Sequence, residues 1–199
     1  MFYRVPAIIF FLFATGLIAQ DQNELSLMIQ EADDFTEQGE MQKAIEKYHQ
    51  ALSLLKNQND QKVIADTTNK LGIAYRELGK FDEASKALNG ALKIHDEIGD
   101  KSGSASDINA LAYLDSLTGK YDEGILLAKK ALIIHQSLQN KKGIMNSFNS
   151  VARCYWRKSE YEKAAEYANR SLTIATEIND KLGIAQNLNV LGAINWEQG

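Results

Sequence analysis

LGIAYRELGKFDEASKALNGALKIHDEIGD, residues 71–100, recurs along the chain at a spacing of forty residues. Its skeleton returns as LAYLDSLTGKYDEGILLAKKALIIHQSLQN at 111–140 and as VARCYWRKSEYEKAAEYANRSLTIATEIND at 151–180. An eroded copy, EADDFTEQGEMQKAIEKYHQALSLLKNQND, occupies 31–60, and LGAINWEQG at 191–199 opens a fifth. Self-similarity at one fixed period marks a solenoid, in which each unit buries its apolar face against its neighbours. Ile64, Leu71, Ala74, Tyr75 and Leu78 form one helical stripe; Phe81, Ala84, Leu88, Ala91, Leu92 and Ile98 form a second. Gly79 lies between them, and glycine accepts the left-handed conformation that ends a helix. Asp82 and Glu83 fall in the first turn of the second helix, where negative charge suits the dipole, and Asp100 is placed to cap the next helix. The only proline is Pro6, so nothing later is forced to break a helix. The reading is all-α, a row of antiparallel helix pairs.

The small residues predict how closely the pairs stack. Gly72, Ala112, Ala152 and Gly192 recur in the first helix, and Ala44, Ala84, Gly124 and Ala164 in the second. The expected units are repeat 1 at about 24–60, repeat 2 at 61–100, repeat 3 at 101–140, repeat 4 at 141–180 and a partial repeat 5 at 181–199. Gly199 takes the place of the turn glycine of that fifth unit, which leads us to expect a longer chain with a second helix beyond it.

The first twenty residues differ from the rest. MFYRVPAIIFFLFATGLIAQ carries Arg4 and then an apolar run from Val5 to Ala19. A bilayer crossing takes about 20 apolar residues, so this run fits a signal-peptide core better, with cleavage after Ala19. An uncleaved signal anchor is the alternative. The expectation is export to the periplasm or cell envelope, with membrane attachment only through the signal or a downstream segment.

Bulk properties exclude several functions. Charged residues make up 24% and apolar residues 45%, and the net charge is −4. General affinity for nucleic acid needs a basic footprint that this chain lacks. Cys154 is the single cysteine, which rules out an internal disulfide and multi-cysteine zinc sites; it reads as a buried small hydrophobe. His95 and His135 repeat at forty, but equivalent atoms of stacked pairs lie about 10 Å apart, against zinc–nitrogen bonds of about 2.1 Å. They read as structural or surface residues. Gly79-Lys80 and Gly119-Lys120 imitate the end of a P-loop without its other residues, and no G-x-S-x-G or H-E-x-x-H occurs. No catalytic residue, metal or cofactor is expected.

The order L-G-x-x-Y … G-x-[FY]-x-x-A … A-L resembles the tetratricopeptide repeat, and the resemblance covers 22–199. The units are longer than usual and lack the closing proline, which makes them similar to the long-helix variety of kinesin light chains and of peptide-sensing bacterial regulators. The resemblance implies a right-handed α-solenoid whose first helices face a concave groove. It places Asn69, Asn109, Asn149 and Asn189 there in register. An asparagine amide both donates and accepts, so a row of them can hold an extended chain by its backbone; the alternative is that they stabilise helix packing. Tyr113, Arg153, Trp156, Arg157 and Trp196 are the further groove positions implied. Tryptophan and arginine are enriched at binding hot spots, and they gather here in the later copies.

The function expected is a protein- or peptide-binding scaffold. Two alternatives stand beside it. One is an N-terminal sensor domain of a longer signalling protein, with a histidine kinase or helix-turn-helix output; the other is a self-assembly scaffold.

Overall fold

A computed structural model describes residues 23–55 and 60–199. The signal sequence read at 1–19 lies outside the described residues. Helix α1 covers residues 23–37, followed by α2 (Met41–Leu55), α3 (Gln61–Glu77), α4 (Phe81–Glu97), α5 (Lys101–Leu117), α6 (Tyr121–Ser137), α7 (Lys141–Arg157), α8 (Tyr161–Glu177) and α9 (Lys181–Gln198). The described residues contain no strand. None of their helices is long and apolar enough to cross a membrane.

Local chemistry sets these boundaries. The first helices α3, α5, α7 and α9 are each capped by a side chain: Asp60 accepts from the Val63 N–H at 3.1 Å, Asp100 from Gly103 at 3.0 Å, Asn140 from Gly143 at 2.9 Å and Asp180 from Gly183 at 3.0 Å. The second helices lack side-chain caps at Lys80, Lys120 and Glu160 and carry Asp82, Glu83, Asp122, Glu123 and Glu162 in their first turns instead. Within the pair, Gly79 takes φ +73° while its N–H bonds the Arg76 carbonyl and the Lys80 N–H bonds that of Tyr75. This double closure satisfies carbonyls that the helix end leaves open. Ser159 holds the same place at φ 64° without glycine's freedom.

Consecutive helices pack from α2 through α9, and the first helices also touch one another through α3–α5, α5–α7 and α7–α9. Among the described residues, α4, α6 and α8 do not pack on each other to the same extent. The row of first helices is therefore the inner, more tightly spaced layer of a curved stack. The all-α solenoid expected from the repeat is the observed fold. Its core is a line of small clusters at the junctions, such as Ala84, Leu88, Ala110 and Leu114, then Ala152, Ala164, Ala168, Val190 and Ile194.

The expected small positions are close-packed. Ala44, Ala84, Ala112, Ala152 and Ala164 are fully buried, and a Cβ on Gly72 would come within 2.8 Å of Leu88 Cδ2. Gly192 is different, because a Cβ there meets nothing within 4 Å. A second small series, Gly103, Gly143 and Gly183, lies three residues after the caps Asp100, Asn140 and Asp180. A Cβ on Gly103 would overlap the His95 ring, one on Gly143 the His135 ring, and one on Gly183 would approach Met145 Sδ to 2.6 Å. Gly143→Ala is expected to destabilise the chain by about 1–3 kcal/mol, since a ring held between helices has little room to yield. Gly90→Ala, in a helix interior with open space around it, is expected to stabilise by about 0.5–1 kcal/mol. Urea denaturation of both variants tests the contrast; equal effects would contradict the packing.

Candidate functional site: the concave groove

A groove of about 750 Å³ runs along the inner layer, lined from α3 by Asn69, Ile73 and Arg76, from α5 by Asn109 and Tyr113, and from α7 by Asn149 and Arg153. At its centre the Tyr113 ring is flanked by two guanidiniums, with Arg76 at 4.1 Å and Arg153 at 4.7 Å from the ring centroid. Arg76 also bonds Glu77 at 2.7 Å. Arg153 donates from Nε to Asn149 Oδ1 at 2.8 Å and from Nη1 to Tyr113 Oη at 2.9 Å. Among the described residues no carboxylate forms an ion pair with Arg153. Burial pulls its guanidinium below the usual range, Arg76 and Arg157 add to the pull, and Tyr113 and, more weakly, the Glu77 carboxylate oppose it. Arginine still keeps its proton. The groove centre is thus a half-buried cation held by neutral partners in an acidic protein.

The asparagine row bridges neighbouring repeats. Asn69 Nδ2 donates to Asp107 Oδ1 at 2.6 Å, and Asn149 Nδ2 donates to Asn187 Oδ1 at 2.8 Å, each partner 38 residues on. Asn149 is therefore committed on both sides, to Asn187 and to Arg153, and acts as a positioning residue. Asn109 has a buried Oδ1 with no partner. Asn189 is exposed on α9.

The other residues expected in the groove lie elsewhere. Trp156 packs against the Ala152–Ala164–Val190 cluster, and the Arg157 guanidinium sits 5.1 Å from its ring centroid. Trp196 is 87% exposed near the end of α9. None of Trp156, Arg157, Asn189 and Trp196 lines this groove.

Sequence reasoning missed the residues two before the asparagines: Thr67, Asp107, Ser147 and Asn187, all buried. Their recurrence at forty was the available signal. Asp107 is fully buried and accepts from Asn69 and, at 2.6 Å, shares a proton-bearing contact with His95 Nδ1; His95 Nε2 reaches Asp66 at 3.2 Å. His95 is a structural residue, and no metal-binding group of three or more candidate ligands occurs among the described residues. Burial pushes the Asp107 carboxyl up to about 6, against the bonds from His95 and Asn69 that favour its charged form. The folded value lies above the ordinary value of about 3.9, so the folded state holds this proton more tightly. Its stabilisation is fully present below about pH 4 and is lost as pH rises through about 6. The expected result is that Asp107→Asn, which stays neutral, improves relative to wild type as pH rises from 4.5 to 7. Urea midpoints at both values check this, with His95, Asp66 and Asn69 unchanged around the site. Cys154 is fully buried and its thiol is pushed up to about 12 by that burial, an inert packing residue.

Stacked helix pairs with a polar groove on their inner layer define a class of protein: a helical-repeat solenoid. The sequence profile of the tetratricopeptide repeat matches residues 23–97, 63–137 and 104–177, and the chain belongs to that family. Comparison with curated protein sequences gave no match. Among solved structures, the chain is similar to BtubC (BKLC) from P. vanneervenii at 22% identity and TM-score 0.69, over 91% of this chain and 77% of that one. It is similar to a Rap protein complexed with Competence and Sporulation Factor at 18% identity and TM-score 0.82, over 88% of this chain and 49% of that one. A kinesin light chain-like repeat protein from Podosopora anserina aligns at 16% identity and TM-score 0.62, covering 88% and 89%. These likenesses show a shared fold. The chain spans about half the length of the Rap protein.

Proposed function

We propose that this protein is a scaffold that holds an extended peptide or partner segment in its concave groove, with an acidic group of the ligand placed on Arg153. One observation carries the reading: Arg153 is a half-buried guanidinium without an acidic partner, fixed by Asn149 and Tyr113 and opening into the groove. A partly buried cation with no carboxylate in direct contact, only Glu77 acting at a distance, is costly, and a ligand carboxylate would relieve that cost with a charge-assisted bond. The structurally similar Rap protein was solved as a complex, which supports a ligand-holding use of this architecture. Asn69 and Asn149 serve by joining repeats and fixing the spacing of the groove. Export to the cell envelope through residues 1–19 is part of the same proposal, resting on the apolar run from Val5 to Ala19.

The test is selection from a random peptide library displayed on phage. Enriched peptides should carry an acidic residue and lose binding to Arg153→Ala while keeping it to Lys93→Ala, an exposed lysine on α4. A library that enriches nothing, or peptides indifferent to Arg153, would contradict the proposal.

A further inference from the structure

The repeats differ at one buried junction. In repeat 2, His95 and Asn69 converge on the Asp107 carboxylate, each at 2.6 Å. Forty residues on, the corresponding side chains are His135, Asn109 and Ser147. Serine is too short to reach both, and Asn109 Oδ1, His135 Nδ1 and Ser147 Oγ are all buried without a hydrogen-bond partner. His135 is 1% exposed and Ser147 fully buried. Buried polar atoms are almost always paired, so three orphans at one junction point to a group from outside. Asn109 and His135 are both among the residues that line the groove, whereas Ser147 is fully buried beside them in sequence register and does not line it.

We propose that Asn109, His135 and Ser147 form a subsite that takes a primary carboxamide, the side chain of an asparagine or glutamine in the bound peptide. The inference rests on the groove reading above. The ligand must both donate, to Asn109 Oδ1, and accept, from Ser147 or His135, and a carboxamide does both. A carboxylate would meet the burial that already pushes Asp107 upward, with no cation at this junction to offset it. Burial likewise lowers His135, which favours its neutral ring. One repeat further on, the same position holds a carboxamide. Asn187 donates to the Gly183 carbonyl and accepts from Asn149, both at 2.8 Å. His135 lies with its Nδ1 edge against Gly143, whereas His95 turns the opposite edge to Gly103 and points Nδ1 at Asp107. The bound carboxamide therefore pairs with Asn109 Oδ1 and Ser147 Oγ, while the His135 ring stays packed against Gly143 and reports the occupant by proximity.

The experiment is side-chain ¹⁵N NMR of His135 in the full chain, titrated with acetamide, acetate and N-methylacetamide. Acetamide should shift the His135 nitrogens saturably and leave those of His95 in place. Ser147→Asn should lose that response, because its own amide occupies the site, and should melt at a higher temperature than wild type. Ser147→Ala, which keeps the space open, should retain a weakened shift. A larger response to acetate would overturn the proposal in favour of a carboxylate site. An equal response to N-methylacetamide would overturn it in favour of a peptide backbone. No response to any probe, with Ser147→Asn destabilised, would mean that water alone fills the junction. A response to acetamide without library-selected peptides would retain the subsite and remove the groove reading; the reverse result would remove only the subsite.

Discussion

Arg153→Ala is expected to weaken binding of a groove-selected acidic peptide by about 2–4 kcal/mol, roughly 30- to 700-fold in Kd. Truncation removes the charge-assisted bond and also frees Asn149 Oδ1 and the Tyr113 hydroxyl that hold the guanidinium. Arg153→Lys should fall between the two, because a lysine keeps the charge but cannot donate in the same fork to both Asn149 and Tyr113. Helicity should be unchanged, since the side chain lies over the groove and the apolar junction is filled by Ala152, Val151 and Cys154. Isothermal titration with a selected peptide and far-ultraviolet circular dichroism separate the two effects. Equal loss of helicity and binding would make Arg153 a folding residue.

Asp107→Ala is expected to have the largest effect on stability, about 3–5 kcal/mol. Asp107 is the acceptor that joins three helices: Asn69 from α3, His95 from α4, and its own α5. Its removal leaves the buried His95 imidazole with Asp66 as its remaining partner and the half-buried Asn69 amide without its acceptor, at the junction of repeats 2 and 3. Asp107→Asn should cost far less, because Asn187 shows that a carboxamide serves at this position, and His95 can present an unprotonated Nδ1 to it. Repeat proteins gain stability from each interface, so the urea transition of Asp107→Ala should also broaden as the two halves uncouple. A loss under about 1 kcal/mol would mean that the network contributes little beyond the apolar packing around it.

The contrast between these two residues shows what a sequence displays. Helix ends were legible because their causes are local: an Asp or Asn three residues before a glycine, a glycine at the turn. The stacking of Ala84, Ala112 and Ala152 followed from composition at one period. Arg153 and Tyr113 were placed on the groove by resemblance to the family, and the structure sets them together there. The partner of each asparagine was not legible, because it lies 38 residues on in the next repeat and the pairing depends on how the solenoid turns. The packing of Trp156 was not legible for a related reason. Its hot-spot chemistry says nothing of direction, and it packs against the cluster that holds Val190 of α9. His95 and His135 look equivalent in sequence, yet a single Asp-to-Ser difference gives one a full set of partners and leaves the other without.

The central claim is that the ligand lies along the inner layer of first helices. Photo-crosslinking of a library-selected peptide that carries a benzophenone side chain, with the attachment points mapped by mass spectrometry, tests it most directly. The account predicts adducts within α3, α5 and α7, around Ile73, Tyr113 and Arg153. Adducts confined to α4, α6 and α8, or to the exposed end of α9 near Trp196, would contradict it.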